Sequence, residues 1–213
     1  EDLLRAFSEQ LVHLIGIKIS GNNLIEQLFA KFMPAPFMSL VIDDCQDSGL
    51  DYHAGGARYN TTYIQGVGLG TIVDSLSAVN YHVFTKKTLD MNSYLNCLES
   101  NFDGYEAFRD ELINNTPKYG NDDDRADVFS KQVFNLFFNA VDGKANSRGG
   151  VHRINLLPTT VHVYFGKKVG STPDGRIAGT PLSEGISPVQ GTDRNGPSAV
   201  IKSAARIDHL RTG

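Results

Sequence analysis

The last third of the chain constrains it most. Gly170-Ser-Thr-Pro-Asp-Gly-Arg176, Thr180-Pro-Leu-Ser-Glu-Gly-Ile-Ser-Pro-Val-Gln-Gly191 and Asp193-Arg-Asn-Gly-Pro-Ser-Ala199 follow one another almost without a break. Proline removes donors and fixes φ, and glycine gives up conformational preference, so this composition excludes long regular elements. The same stretch carries side chains that bond in defined directions, which a floppy linker does not need. Such backbone has to be held by a rigid scaffold, the usual setting for loops that face a reaction centre. Its plainer reading is structural. Asp193 and Asn195, with Ser183 and Ser187, bond backbone groups of their own turns. Arg176 is then a buried clamp for loop carbonyls or a carboxylate, and Glu184 is one more loop residue.

The remaining sequence supplies the scaffold. Leu3, Leu4, Phe7, Leu11, Val12, Leu14 and Ile15 recur at helical spacing. Asn22 or Asn23 is placed to cap a second helix carrying Leu24, Ile25, Leu28, Phe29 and Phe32, stopped by Pro34. Pro36 opens a third helix with an apolar face of Phe37, Leu40, Val41 and Cys45, ended by Gly49. Residues 57–64 are rich in Tyr and Thr and read as a short strand. Gly66, Gly68 and Gly70 lead into a helix that turns Leu69, Ile72, Val73, Leu76 and Val79 inward. Helices follow at 91–101, 105–114 and 125–141, the last burying Phe129, Val133, Phe134, Phe137 and Val141. Ser147-Arg-Gly-Gly150 turns the chain, 152–165 reads as one or two buried strands interrupted at Pro158, and 197–207 reads as a helix. Helices alternating with a few strands argue an α/β fold, rich in helix.

Bulk properties exclude several classes. The chain has 213 residues, 40% hydrophobic and 21% charged, with a net charge of −4, as in an ordinary soluble globular protein. No basic patch points to nucleic acid, and no apolar run approaches the ~20 residues of a membrane span. Two cysteines, Cys45 and Cys97, are too few for a disulfide framework and lack metal-ligand spacing. Both read as small apolar residues on helices, and a reducing cytoplasm is the expected location. Glu1 opens inside a helical pattern and Arg211-Thr-Gly213 follows another, so we expect a single segment of a longer chain, cut at both ends.

Individual motifs are weak alone. Gly66-Val-Gly-Leu-Gly70 lacks the third glycine of a dinucleotide fingerprint, and close packing of a helix start against the strand explains it better. Asp122-Asp-Asp124 lacks the ligand spacing of a calcium loop and reads as acidic charge at a helix N-terminus. His152 and His162 have no acidic neighbour in sequence and no nucleophile elbow accompanies them. His162 stands beside Thr159 and Thr160, two hydroxyls that must find partners in the protein or in a ligand.

Taken together, Thr172-Pro-Asp-Gly-Arg176, Pro181-Leu-Ser-Glu-Gly-Ile-Ser-Pro-Val-Gln-Gly191, Asp193-Arg-Asn-Gly-Pro197, Gly55-Gly-Ala-Arg-Tyr-Asn60 and Ile64-Gln-Gly-Val-Gly68 resemble the glycyl radical enzymes of the pyruvate formate-lyase-like superfamily. Within it, Tyr59-Asn-Thr-Thr-Tyr-Ile-Gln-Gly66 and Arg148-Gly-Gly-Val-His-Arg-Ile-Asn-Leu-Leu-Pro-Thr-Thr-Val-His162 are most similar to the trans-4-hydroxy-L-proline dehydratases. Glycerol and 1,2-diol dehydratases come next, and formate acetyltransferases are more distant.

The resemblance implies part of a ten-stranded α/β barrel, with a radical-forming Cys and a radical-storing Gly on two opposed central loops. It implies a lyase that removes water from a small hydroxylated substrate, here hydroxyproline, giving 1-pyrroline-5-carboxylate. The glycyl radical would be installed by an activating enzyme that uses S-adenosylmethionine and an iron–sulfur cluster, and the full-length protein would be a homodimer. Neither Cys45 nor Cys97 lies in the family's Gly-Cys-x-Glu loop, and no Arg-Val-x-Gly-Tyr segment occurs. Both are therefore expected outside this chain, which would be inactive alone, hold no metal and bind no cofactor itself. By position, Thr159, Thr160 and His162 are the expected substrate contacts. Ile186, Ser187, Pro188, Val189 and Gln190 are expected to pack near the radical loop. The competing reading is a non-catalytic domain that binds a small ligand or a partner chain.

Overall fold

The computed structural model describes residues 1–212. They form two compact units: Glu1–Ile64 with Leu136–Ile154, and Gln65–Asn135 with residues 155–212. No helix among the described residues is long and apolar enough to cross a membrane.

In the first unit, the two helices expected before Pro34 are one. Helix α1 runs Asp2–Phe32. Ser20 Oγ bonds back to the Gly16 carbonyl at 3.0 Å, so this part of the polar stretch stays helical instead of capping a new start. Ile15 and Ile19 are buried on α1, while Leu14, Ile17, Leu24 and Phe32 stay exposed. The helix expected after Pro36 is broken. α2 (Pro36–Ser39) and α3 (Asp43–Ser48) are separated at Ile42, whose backbone is extended. Of its expected apolar face only Cys45 is buried, and Phe37, Leu40 and Val41 are exposed. Gly49 ends α3 in the left-handed region at φ 66°, where a side chain is disfavoured. Asp51 closes this region: Oδ2 accepts from the Ala35 N–H and the Ser39 hydroxyl, and Oδ1 from the His53 N–H.

Strands β1 (Thr62–Gln65) and β2 (His152–Asn155) pair. Thr62 N–H donates to the Val151 carbonyl and Gly66 N–H to that of Asn155. Partners that advance together along both strands make the pair parallel. The turn before β2 is held by Glu26, which accepts from the Ser147 hydroxyl at 2.8 Å and from Thr62. Burial works to raise the Glu26 carboxyl, but Thr62, Ser147 and Arg148 overcome it and hold it below its ordinary value. His152 is fully buried, its Nδ1 bonded to the Lys144 carbonyl at 3.1 Å.

The second unit is helical. α4 (Leu69–Val79) continues into a π-helical turn over Asn80–Thr85. α5 (Met91–Glu99) and α6 (Glu106–Asn114) follow, then α7 (Asp124–Val141), which is shared with the first unit. Ala78, Val79, Tyr94, Cys97, Phe102 and Leu112 pack into its core. Burial pushes up the Cys97 thiol, and Sγ bonds only the Ser93 carbonyl within its own helix. Burial likewise pushes up Cys45, with Asp51 and Asp44 adding to it. Both cysteines are core residues and poor thiolates. The second strand expected before Phe165 is absent: Pro158 ends the extended run, and Val161–Gly166 forms α8. Two β-branched residues there do not outweigh the tertiary setting. α9 covers Pro197–Ala204.

The glycine run before α4 serves close packing, but against a loop and not the strand. A Cβ at Gly70 would lie 2.8 Å from the Ser187 carbonyl oxygen and 3.0 Å from the Val189 nitrogen. We expect Gly70→Ala to destabilise the chain by about 1–3 kcal/mol in urea unfolding, as overpacking does.

Asp74 on α4 is fully buried. Oδ1 accepts from the Tyr119 N–H at 2.7 Å, and Oδ2 has no partner among the described residues. Burial pushes its carboxyl up to about 7, against the pull of Lys118 and the Tyr119 N–H. Between the ordinary value of 3.8 and about 7, the unfolded chain has released a proton that the folded chain keeps. The Asp74 contribution to stability therefore falls as pH rises through that window and is level above it. Asp74→Asn mimics the protonated acid. It is expected to flatten that part of the stability–pH profile and to stabilise the chain above pH 7 relative to the parent, measured by urea unfolding across the range.

Candidate functional site

From Lys167 to Gly196 the second unit has no regular element, so its backbone is satisfied by turn hydrogen bonds and by side chains. Arg176, 8% exposed, is the hub. Nε donates to the Thr172 hydroxyl at 3.1 Å. Nη1 donates to the carbonyls of Ile177 at 3.1 Å and Thr180 at 2.7 Å. Nη2 donates to those of Val169 at 3.3 Å and Gly170. Three further loop carbonyls are met by side chains from two helices and from the segment that follows them. Tyr94 OH on α5 reaches Pro173 at 2.6 Å, Arg109 Nε on α6 reaches Gly175 at 2.8 Å, and Lys118 Nζ reaches Asp174 at 3.0 Å.

The second loop is fixed in the same way. Ser183 and Thr71 exchange bonds reciprocally: the Thr71 N–H donates to Ser183 Oγ at 3.0 Å, and the Ser183 N–H to Thr71 Oγ1 at 2.9 Å. Ile186 N–H donates to Leu156, and Tyr119 OH donates to Ile186 at 3.1 Å. Asn121 Oδ1 accepts from the N–H groups of Arg194 and Asn195, while its Nδ2 donates to the Thr192 carbonyl. These partners are distant in sequence, so Ser183 and Asn195 are cross-links and not the local turn residues their sequence suggests. The acidic run is used as expected: Asp123 Oδ1 accepts from the Arg125 N–H at the start of α7.

Between the clamped loops and α6 lies a cavity of about 550 Å³. Arg109, Lys118, His162, Arg176, Glu184, Val189 and Gln190 are among its walls. His162, at the start of α8, is buried. Its Nδ1 lies 2.6 Å from the Thr159 carbonyl. A carbonyl only accepts, so Nδ1 carries a proton. Nε2 stands 3.7 Å from Glu184 Oε1, beyond hydrogen-bond distance, a contact between residues that the sequence separates by twenty-two positions.

The model of the family described as "Pyruvate formate lyase-like" matches residues 1–166. The chain belongs to that family. It is 54% identical over its whole length to the trans-4-hydroxy-L-proline dehydratase of Clostridioides difficile, covering 27% of that protein. An isethionate sulfite-lyase of Bilophila wadsworthia is 33% identical over 95% of this chain and 25% of its own. Among solved structures, the Clostridioides difficile hydroxyproline dehydratase with substrate bound superposes with a TM-score of 0.95 over the whole chain, again 27% of that protein. A glycyl radical enzyme of Archaeoglobus fulgidus gives 0.92 at 38% identity, over all of this chain and 27% of its own. The chain thus spans about a quarter of the length of these relatives, and its helix-rich α/β fold is that of a segment of glycyl radical enzymes.

The residues singled out in the sequence part company in the structure. His162 lines the cavity, whereas Thr159 and Thr160 do not. Thr160 is exposed at the start of α8, and Thr159 Oγ1 is buried without a partner among the described residues. Val189 and Gln190 reach the cavity wall. Ser187 and Pro188 pack instead on Gly70, and Pro188 also on Gly120. Sequence reasoning missed Arg109 and Lys118. A basic residue on an exposed-looking helix, or between Pro117 and Tyr119, gives no hint of burial.

Arg176→Lys keeps the charge but cannot serve five acceptors. It is expected to cost at least about 2 kcal/mol in urea unfolding and to open residues 169–180 to limited proteolysis.

Proposed function

We propose that this chain is a segment of a glycyl radical dehydratase that removes water from trans-4-hydroxy-L-proline to give 1-pyrroline-5-carboxylate. The observation that carries the reading is the identity of 54% to a dehydratase named for that substrate. Isethionate sulfite-lyases and a sulfopropanediol dehydratase stand at 29–36%. The step is redox-neutral: the C4–O bond, one C5–H bond and the N–H bond of the substrate break, a C4–H bond and the C5=N bond form, and water leaves, so no co-reactant is consumed. In this reading the radical-storing Gly would pass its radical to the radical-forming Cys, whose thiyl would abstract the substrate hydrogen, and the glycyl radical would be installed by an S-adenosylmethionine and iron–sulfur activating enzyme. The full-length protein works as a homodimer in the cytoplasm.

This segment would contribute walls, orientation and proton handling. Thr159 and Thr160 are assigned to the substrate, supported by a Thr159 hydroxyl left without a protein partner. His162 is assigned with them, supported by the Thr159 carbonyl that holds its Nδ1 and by Glu184 beside it. The 186–190 loop, anchored on α4 and Tyr119, would support the radical loop. Rigid positioning of this kind is the protein's main contribution to radical chemistry.

The test is the parent polypeptide carrying this segment, activated anaerobically and offered hydroxyproline, glycerol or 1,2-propanediol. An organic radical in the electron paramagnetic resonance spectrum and water loss from hydroxyproline alone are expected. Thr159→Val and His162→Gln should each raise KM or lower kcat by about tenfold or more. Absence of the radical, or faster turnover of glycerol or propanediol, overturns the reading.

A further inference from the structure

Helix α4 turns a row of polar side chains toward the irregular segments of the second unit. Thr71, Asp74 and Ser77 are spaced by three, so they share one face, and all three are buried. Thr71 exchanges its two bonds with Ser183. Ser77 Oγ donates to the Pro117 carbonyl at 2.8 Å. Asp74 Oδ1 accepts the Tyr119 N–H at 2.7 Å. The last two bonds hold residues 117–119 against the helix.

From there the two side chains part. Lys118 Nζ donates to the Asp174 carbonyl, in the loop clamped by Arg176. Tyr119 OH donates to the Ile186 carbonyl, in the loop that packs on Gly70. One dipeptide thus ties both irregular loops, and one carboxyl oxygen holds the dipeptide. Keeping that carboxyl is costly, because it is fully buried and Oδ2 has no partner among the described residues. An apolar side chain would avoid the cost but leave the Tyr119 N–H without its acceptor. Asp74, Lys118 and Tyr119 are all buried within this unit, so the relay consists of bonds already made and rests on no open surface.

We propose that Asp74 is a positioning residue, which acts through Lys118 and Tyr119 to hold the 170–176 and 183–190 loops in register. It touches no reacting atom. Its effect on turnover rests on the dehydratase reading, whereas its hold on the two loops can be measured without turnover. A displacement of about 1 Å in a positioned site can cost on the order of a hundredfold in rate. Loss of register therefore lowers kcat more than it raises KM.

The experiment compares the parent polypeptide carrying this segment with its Asp74→Ala, Asp74→Asn, Lys118→Met and Tyr119→Phe variants. Before activation, hydrogen–deuterium exchange reads the bonded amides of Gly175 in the first loop and Ile186 in the second. Asp74→Ala is expected to speed exchange about tenfold in both loops, Lys118→Met in the first alone and Tyr119→Phe in the second alone. Asp74→Asn keeps an oxygen for the Tyr119 N–H and is expected to exchange as the parent does. After activation, kcat for hydroxyproline, counted per glycyl radical, is expected to fall about tenfold in Asp74→Ala with a smaller change in KM. Counting per radical removes any loss of folded enzyme. Unchanged exchange in Asp74→Ala, a change in one loop only, failure of Asp74→Asn to restore both loops, or a kcat per radical equal to the parent's overturns the proposal. If Asp74→Ala does not fold, loop-selective changes in Lys118→Met and Tyr119→Phe, with Asp74→Asn like the parent, support it, and their absence overturns it. A parent that leaves hydroxyproline unchanged sinks the dehydratase reading, and the exchange pattern then decides this one.

Discussion

Thirty residues of backbone without helix or strand, 167–196, can be ordered only if their carbonyls and N–H groups find partners outside regular ladders. A buried unpaired carbonyl costs about as much as a lost hydrogen bond. Arg176 meets four of those carbonyls, because one planar guanidinium offers five N–H donors in fixed directions. Around it the loop folds back on itself, joining Val169, Gly170, Thr172, Ile177 and Thr180. Tyr94 and Arg109 then dock the loop onto α5 and α6, and Lys118 onto the segment between α6 and α7. The cavity exists because the loop is held at this distance from α6.

The same docking explains the buried charges. Lys118 and Arg109 are recruited as donors to loop carbonyls. Asp74 receives the Tyr119 N–H and so fixes the segment that carries Lys118. Its neighbours are too few to keep it ionised at the ordinary value. In the first unit the outcome is different. Glu26 meets Thr62, Ser147 and Arg148 closely enough to stay ionised, and it ties a turn without leaving spare capacity.

Several elements were legible because their signals are local. The start of α7 under Asp122-Asp-Asp124, the end of α3 at Gly49, and the strand near Tyr63 depend on neighbours within a few residues. The Arg176 clamp was legible too, since a lone arginine amid Gly and Pro has few other uses. The failures share a cause. Ser20-Gly-Asn-Asn23 looks like a helix boundary, yet α1 passes through it. Val161-His-Val-Tyr-Phe165 looks like a strand, yet it is helical once Pro158 ends the extended run. Both depend on packing that spacing does not encode.

By itself the sequence determined the class, the helix-rich α/β composition, the demand for a clamp in the Gly/Pro loops, and the family to which those loops belong. Those properties follow from residue type and short-range order. Tertiary structure alone decided that His162 comes to Glu184, that Thr159 and Thr160 stand away from the cavity, and that Lys118 is buried on the Asp174 carbonyl. Each of these depends on contacts between residues tens of positions apart, and no local pattern carries that distance.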